Sequence, residues 1–410
     1  MATSESTYDA VIVGASLAGC ASAIGLGRAG LRVAVVEKQP DPQAFKRTCS
    51  HFIQASGVPA IERLGLLEPI EAAGGQRPRI HSWTRWGWIE PSSRESASGL
   101  NLRREVLDPL VRTTAAETPG VEMLLGWSAE RLLREGDAFA GVAVRNPQGE
   151  ERELRGRLTI GADGRDSRIA ELAEAPVKKY PNARFAYGGY FEGGAPAQSP
   201  DAVIWFLDPH WAAAFPTDEG LTFYAAMPTK ERLPEFKRDP AAALVDFLSL
   251  VPEPPPIRDG QLVGSVFGKI DMTSKMRKPV APGLALIGDA ALAADPLFGV
   301  GCGWAFQSAE WLRESVEPAL QGSEPLEQGL ERYRRRHARE LKGHSFFIHD
   351  YSTGRRFNPA ERLMFSAAAR DPKVASIIED FATRQIKPQQ MLPRVVPRAI
   401  AVNARHALAR

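Results

Sequence analysis

Ala10-Val11-Ile12-Val13-Gly14-Ala15-Ser16-Leu17-Ala18-Gly19 is the stretch on which the reading of the fold turns. The continuous apolar run from Ala10 to Val13 is the pattern of a strand buried on both faces, as in a parallel sheet covered by helices. Gly14 stops the run, and small residues then dominate from Ala18 to Ala29. Gly30 follows at the place where a helix commonly ends in a left-handed residue. Val33 to Val36 repeat the strand pattern and close on Glu37 and Lys38. This is a βαβ unit in which a glycine turn lets backbone amides at the helix start approach a pyrophosphate, while Glu37 accepts hydrogen bonds from a ribose. Gly25, Gly27 and Gly30 also spell GxGxxG, but they lie at the helix end, before the second strand. The dinucleotide turn is therefore Gly14 to Gly19, with Ser16 in place of the middle glycine and Leu17 and Ala18 opening the helix.

The 410 residues allow two to three domain-sized units. A formal net charge of +2 is too small to point to nucleic acid as a partner. Cys20, Cys49 and Cys302 lack the spacing of a metal site, a disulfide framework or a redox pair, so no metal is expected and a reducing compartment fits. Met1 to Asp9 lacks the basic start and apolar run of a secretory signal. The longest apolar stretch, Leu284 to Phe306, is broken by Asp289 and Asp295 and is no transmembrane segment. These features predict a cytoplasmic protein; none encodes an oligomeric state. From Phe381 onward there is no acidic residue, while Arg384, Lys387, Arg394, Arg398, Arg405 and Arg410 are basic. That segment reads either as a solvated tail or as a lid over an anionic ligand or a membrane-surface contact.

Two distant segments decide which dinucleotide is bound. Arg157 to Ile160 reads as a strand running into Gly161-Ala162-Asp163-Gly164-Arg165, and Leu284 to Ile287 as a strand running into Gly288-Asp289. Each sets an aspartate just past a strand end, where open α/β sheets bind ligands. With the turn at Gly14 to Gly19, and in this order and spacing over roughly residues 8 to 340, the chain resembles the para-hydroxybenzoate hydroxylase superfamily. The resemblance implies an α/β fold: a Rossmann-like FAD-binding domain with a parallel sheet, an interleaved antiparallel-sheet substrate domain, and C-terminal helices. The expected FAD-binding domain is discontinuous (8–80, 100–178 and 275–325), with 81–99 and 179–274 as the substrate domain and 326–410 as a helical region. The resemblance places Asp289 at the flavin ribitol and Asp163 near the phosphates. It also places Arg104 on the helix lining FAD, and Arg47 in the loop after the first βαβ unit; Arg104, beside Arg103, also reads as a helix surface charge. In Asp295-Pro296-Leu297-Phe298-Gly299-Val300-Gly301, the segment from Pro296 through Gly299, Val300 and Gly301 brings backbone amides to the ring. The following helix start would stabilise charge on the reduced flavin.

The pattern departs from the aromatic hydroxylases at Leu292, where they usually carry histidine, and near Gly303, where they carry asparagine. The run from Asp295 to Gly301, with Ser308 and Glu310, is similar to geranylgeranyl reductases and flavin-dependent halogenases of the same fold. No lysine occurs from Arg47 to Val177, where halogenases hold theirs, and Trp86 to Pro91 resembles their WxWxIP signature too early and out of register. The expected activity is that of a monooxygenase that consumes NADPH or NADH and O2 and hydroxylates or epoxidises a bulky apolar or aromatic molecule through a flavin C4a-hydroperoxide. An ene-reductase acting on an isoprenoid-like alkene is the enzymatic alternative, and a non-catalytic binding protein the alternative of another class. Short strands between Phe185 and Met227 suggest an antiparallel sheet, which the resemblance makes the floor of the substrate cavity. His51, Trp86, Trp88, Tyr190, Trp205, Phe215 and Tyr224 are the candidates to line it, though aromatic residues on strands also serve as core. No residue is singled out as catalytic.

Overall fold

The structure, a computed structural model, describes residues 5–94 and 97–408; Arg410, and Glu95 and Ser96 of the expected 81–99 segment, lie outside the described residues. Glu5–Val13 pairs in parallel with Val33–Glu37 on one side and Glu151–Gly161 on the other. Val121–Leu125 and Leu284–Leu286 extend this sheet outward, also in parallel, so strands far apart in the chain end side by side. The helix Leu17–Arg28 crosses over between the first two strands, its small residues packed against the helix Gly301–Leu320. Gly14 has φ 106°, and a Cβ there would lie 2.5 Å from the Ala162 carbonyl; one on Gly19 would lie 1.8 Å from the Gly14 carbonyl. The turn thus accepts no larger side chain at either position, which is why the strand, the turn and the neighbouring aspartate loop sit so close together.

A seven-stranded sheet forms the second layer, in the order Gln261–Lys269, Ala186–Glu192, Leu221–Ala226, Trp211–Pro216, Ala202–Phe206, Ile80–Thr84 and Gly87–Ile89. It is not purely antiparallel: Ala202–Phe206 and Ile80–Thr84 run parallel, because Ile80–Thr84 joins the sheet from a distant part of the chain rather than through a hairpin. One face packs Trp205 and Tyr224 against the helices Leu233–Arg238 and Pro240–Ser249. The other packs Ala213, Phe215, Phe223 and Met227 toward Phe52, Leu297 and Tyr351.

The basic C-terminal segment is not a solvated tail. Pro388–Leu408 is a helix that buries Met391, Val395 and Ala399 against the helices Pro359–Ala368 and Pro372–Ala382. Together with the long helix Leu326–Ser352, these close over the second sheet. Asn358 and Glu361 cap the start of Pro359–Ala368 reciprocally, which explains the sharp entry of that helix. Among the described residues, no helix is long and apolar enough to cross a membrane.

Candidate active site

A cavity of about 690 Å³ opens where the C-terminal ends of the parallel strands meet the second sheet. Gly14, Ser16, Leu17 and Ala18 line one end with Glu37 and Lys38; Asp163, Asp289, Pro296, Gly299 and Gly301 line it further along. Gly19 acts from behind, through close packing, and Val300 is buried without facing the cavity. Glu37 ties the turn to the second strand, accepting from the amides of Ala15 (2.9 Å) and Gln39 (2.9 Å). Asp163 accepts from Ser167 Oγ (2.5 Å) and the Ile169 amide (3.0 Å), which pins the start of the next helix.

Arg104 is no surface charge. It is 3% exposed and forks onto Asp108 through Nε and Nη2 at 2.7 and 2.9 Å, and Nη2 also reaches Ser16 Oγ at 2.8 Å. The arginine thereby locks the dinucleotide turn to the helix Arg104–Glu117. Arg47, by contrast, is exposed and does not line the cavity. Its neighbour Lys46 does, with Nζ 3.1 Å from Asp289 Oδ2, while the Lys46 amide donates to Asp108 Oδ2 at 2.9 Å. Burial alone would raise the Asp289 carboxyl; the charges of Lys46, Arg165 and Arg104, with the Lys46 hydrogen bond, together outweigh it and hold the group below its ordinary value. The loop therefore does present a cation, one residue earlier than expected, because the backbone tie to Asp108 turns Lys46 inward.

None of the seven aromatic and histidine candidates lines this cavity. Trp88, Trp205 and Tyr224 belong to the opposite face of the sheet, where Trp205 Nε1 donates to the Pro252 carbonyl and the Tyr224 hydroxyl to that of Gly194. Trp86 stacks on Phe357 and Phe215 on Phe52, as packing between layers. His51 is 2% exposed: its Nδ1 accepts from the Arg104 amide at 2.9 Å, so the neutral ring carries its proton on Nε2 and donates to the Tyr190 hydroxyl. Burial pushes its pKa down to about 4, which leaves the ring neutral near pH 7. His51→Ala is expected to cost about 2–4 kcal/mol in urea denaturation, since it opens a cavity and strands a buried amide donor.

Cys49 and Cys302 both line the cavity with their sulfurs 3.6 Å apart, and Arg104 Nη1 lies 3.8 and 3.7 Å from them. The hydrogen bond with Cys302 holds the Cys49 thiol well below its ordinary pKa, against burial and helped by Arg104. Two cysteines 253 residues apart in sequence carry no spacing signal, so only the fold reveals the pair. Mild diamide treatment is expected to bridge them, leaving Cys20 alone titratable under denaturing conditions; Cys49→Ser should abolish the bridge.

A second, smaller chamber of about 150 Å³ lies under the helical cap, lined by Ile80, Ile204, Phe206, Leu297, Phe298, Phe347, Phe357 and Phe365 among others. Gln54 and Phe298, which line it, adjoin Phe52 and Gly299, which line the first cavity. Gln54 Nε2 donates to the Phe298 carbonyl at 2.5 Å and clasps this partition shut. Because the residues come from both ends of the chain, no local pattern announces the chamber.

The turn, with a close approach that excludes any Cβ, and the acidic and basic groups along the long cavity suit an elongated dinucleotide. The family described as an FAD binding domain matches residues 7–245, more than half of the chain. The digeranylgeranylglycerophospholipid reductase of Methanosarcina acetivorans is 25% identical over 349 residues, covering 82% of each chain. The kynurenine 3-monooxygenase of Salinispora tropica is 28% identical over 340 residues, 75% of this chain and 72% of that one. Among solved structures, the flavin-dependent brominase Bmp2 matches with a TM-score of 0.78 over 99% of this chain and 100% of its own, at 19% identity. The p-nitrophenol 4-monooxygenase PnpA from Pseudomonas putida DLL-E4 gives 0.72 over 93% and 99%, at 21% identity. These structural likenesses bear on the fold alone. The family match bears on the chemistry, and it agrees with what the cavity is shaped to hold: the protein belongs to the FAD binding domain family and is a flavin-dependent oxidoreductase.

Proposed function

We propose that the protein is a monooxygenase that consumes NADPH or NADH and hydroxylates or epoxidises a bulky apolar or aromatic small molecule. The observation that carries this reading is the apolar end of the cofactor cavity, where Phe223, Ala225, Met227, Phe267 and Met272 face the Pro296–Gly301 segment. When bound, FAD supplies a carrier that takes two electrons from a nicotinamide and passes them to O2. The residues do the rest. Gly14 to Ala18 and Glu37 would hold the adenosine and pyrophosphate end; Asp289, with Lys46 beside it, would hold the ribityl chain. The start of the helix Gly301–Leu320 turns its positive end toward the cavity, where it favours negative charge on a reduced ring. The apolar wall excludes water and orients an apolar substrate against that ring. The segments 81–99 and 179–274 serve in this reading as the substrate unit, with 326–410 as its cap.

A reductase acting on an alkene is the second reading, favoured by the similarity to the digeranylgeranylglycerophospholipid reductase over most of the chain. Oxygen separates the two. NADPH and NADH oxidation by the FAD-loaded protein should be followed against phenolic, polyketide and isoprenoid compounds, in air and under nitrogen. The monooxygenase reading expects one compound to accelerate oxidation and gain one oxygen atom in air alone. Anaerobic turnover that saturates a double bond would replace it with the reductase.

A further inference from the structure

The chamber beneath the cap is apolar over most of its wall, yet it gathers buried polar atoms that have no protein partner. Gln54 Oε1, Trp211 Nε1, His344 Nδ1, Tyr351 Oη and Arg384 Nε all lack a hydrogen-bond partner, and all five residues line this one chamber. Gln54, Trp211, His344 and Tyr351 are each 5% exposed or less. Buried polar atoms are almost always paired, so five unpaired ones on residues that line so small a space mark a surface that a bound molecule completes. The indole N–H, the phenol hydroxyl and the guanidinium Nε–H can all donate, which calls for acceptor oxygens on the ligand.

Arg384 sets the sign of the charge. It follows the helix Pro372–Ala382 with φ 65°, in the left-handed region where a glycine is the usual helix terminator. Its guanidinium lies over the Phe298 ring at 5.4 Å and donates through Nη1 to backbone carbonyls of Phe381 and Ala382. Among the described residues it is the one arginine or lysine lining the chamber, and no carboxylate pairs with it. The lining acids are engaged elsewhere: Glu361 with Arg355 at 2.7 Å, Glu379 with Arg94 at 3.3 Å and Glu90 with His81 at 2.6 Å. Burial draws the Arg384 pKa down to about 9, which leaves it cationic at neutral pH. An entering anion therefore meets one uncompensated cation. The 150 Å³ of space is of the size that holds a single benzene ring.

We propose that this chamber is a binding site for a single-ring aromatic carboxylate, its carboxylate taken by Arg384 with donors from Trp211 and Tyr351, and its ring held against Phe298. The site is separate from the cofactor cavity, and the Gln54–Phe298 clasp stands between them. Binding here goes beyond the monooxygenase reading and does not depend on turnover.

Calorimetric titration of the FAD-loaded protein with benzoate and with benzamide, its neutral counterpart of equal shape, tests the proposal. Benzoate is expected to bind at least tenfold more tightly, and Arg384→Gln, with FAD content and melting transition retained, is expected to erase the difference. Benzoate binding no tighter than benzamide, no binding by either, or a preference that survives in Arg384→Gln would overturn the proposal. Should that variant lose its FAD or its melting transition, hydrogen exchange on the unmodified protein decides. Protection by benzoate within Leu326–Ser352 and Pro372–Ala382 upholds the site; protection confined to the Gly14 turn and the Asp289 loop overturns it. Failure of any of these leaves the oxygen-dependence experiment untouched, since none of them reads turnover.

Discussion

Arg104→Met should purify without its yellow colour and be less stable than the parent by about 3–5 kcal/mol. The guanidinium satisfies a carboxylate with a side chain 1% exposed, and at the same time holds Ser16 in the dinucleotide turn. Taking it away leaves Asp108 as a buried, unpaired charge whose remaining partner is the Lys46 amide. Methionine fills much of the volume, so the loss would report charge and hydrogen bonding more than packing. Two measurements check this: the ratio of flavin to protein absorbance, and the urea midpoint of the FAD-free forms, which separates intrinsic stability from stabilisation by ligand. Arg104→Lys keeps a charge without the planar fork, and should recover part of the stability but not normal FAD retention. Full FAD occupancy in Arg104→Met, with stability within about 1 kcal/mol of the parent, would contradict the role assigned here.

Acid should unfold the protein well before its carboxylates are protonated. Burial pushes the pKa of His51, His337 and His349 down to about 4, and that of His344 down to about 3. Their ordinary value is 6.5, so between there and about pH 4 the unfolded chain takes up protons that the folded protein refuses. Stability is accordingly complete above pH 6.5 and falls as the pH drops through that window. His51 and His337 alone would remove roughly 4 kcal/mol by pH 5, a large share of the ~5–15 kcal/mol typical of a whole fold. Denaturant midpoints at pH 7.5 and 5 give the measurement. Replacing His337 with Gln, which cannot be protonated, should flatten the dependence; an unchanged pH profile in that variant would show that its ring is not what titrates.

The parallel sheet and the dinucleotide turn were legible because both are local. Ala10 to Val13 and Val33 to Val36 carry the continuous apolar run of a doubly covered sheet, and Gly14 marks a turn that only glycine can take. Asp163 and Asp289 were legible for a related reason: each follows a strand end directly. The substrate side was opaque because strand periodicity tells that two faces exist without telling which faces the ligand. Ile204 and Phe206 line the chamber while Trp205, between them, packs against the far helices. The most conspicuous residue was thus the misleading one. Lys46 was missed for Arg47 because a loop has no period, and only the tie from the Lys46 amide to Asp108 decides which side chain turns inward. Of the cap residues, Tyr351 had no signal, and Arg384 stood out only as one of six basic residues after Phe381, since both meet Gln54 from the other end of the chain.

The neighbouring strands Glu5–Val13, Glu151–Gly161 and Leu284–Leu286 impose an order of events on the ribosome. At ordinary synthesis rates, Gly14 and Asp289 leave the exit tunnel roughly 15 to 55 s apart. During that interval the first βαβ unit waits first for Glu151–Gly161 and then for Leu284–Leu286 and the helix Gly301–Leu320, with an open parallel edge exposed to other nascent chains. The cofactor cannot rescue such a fragment, because Asp289 and the Pro296–Gly301 segment of its cavity have not been made. Yield of soluble protein should therefore respond to slower growth or to added chaperones more than to added flavin, and a fragment ending before residue 284 should aggregate whether or not FAD is present.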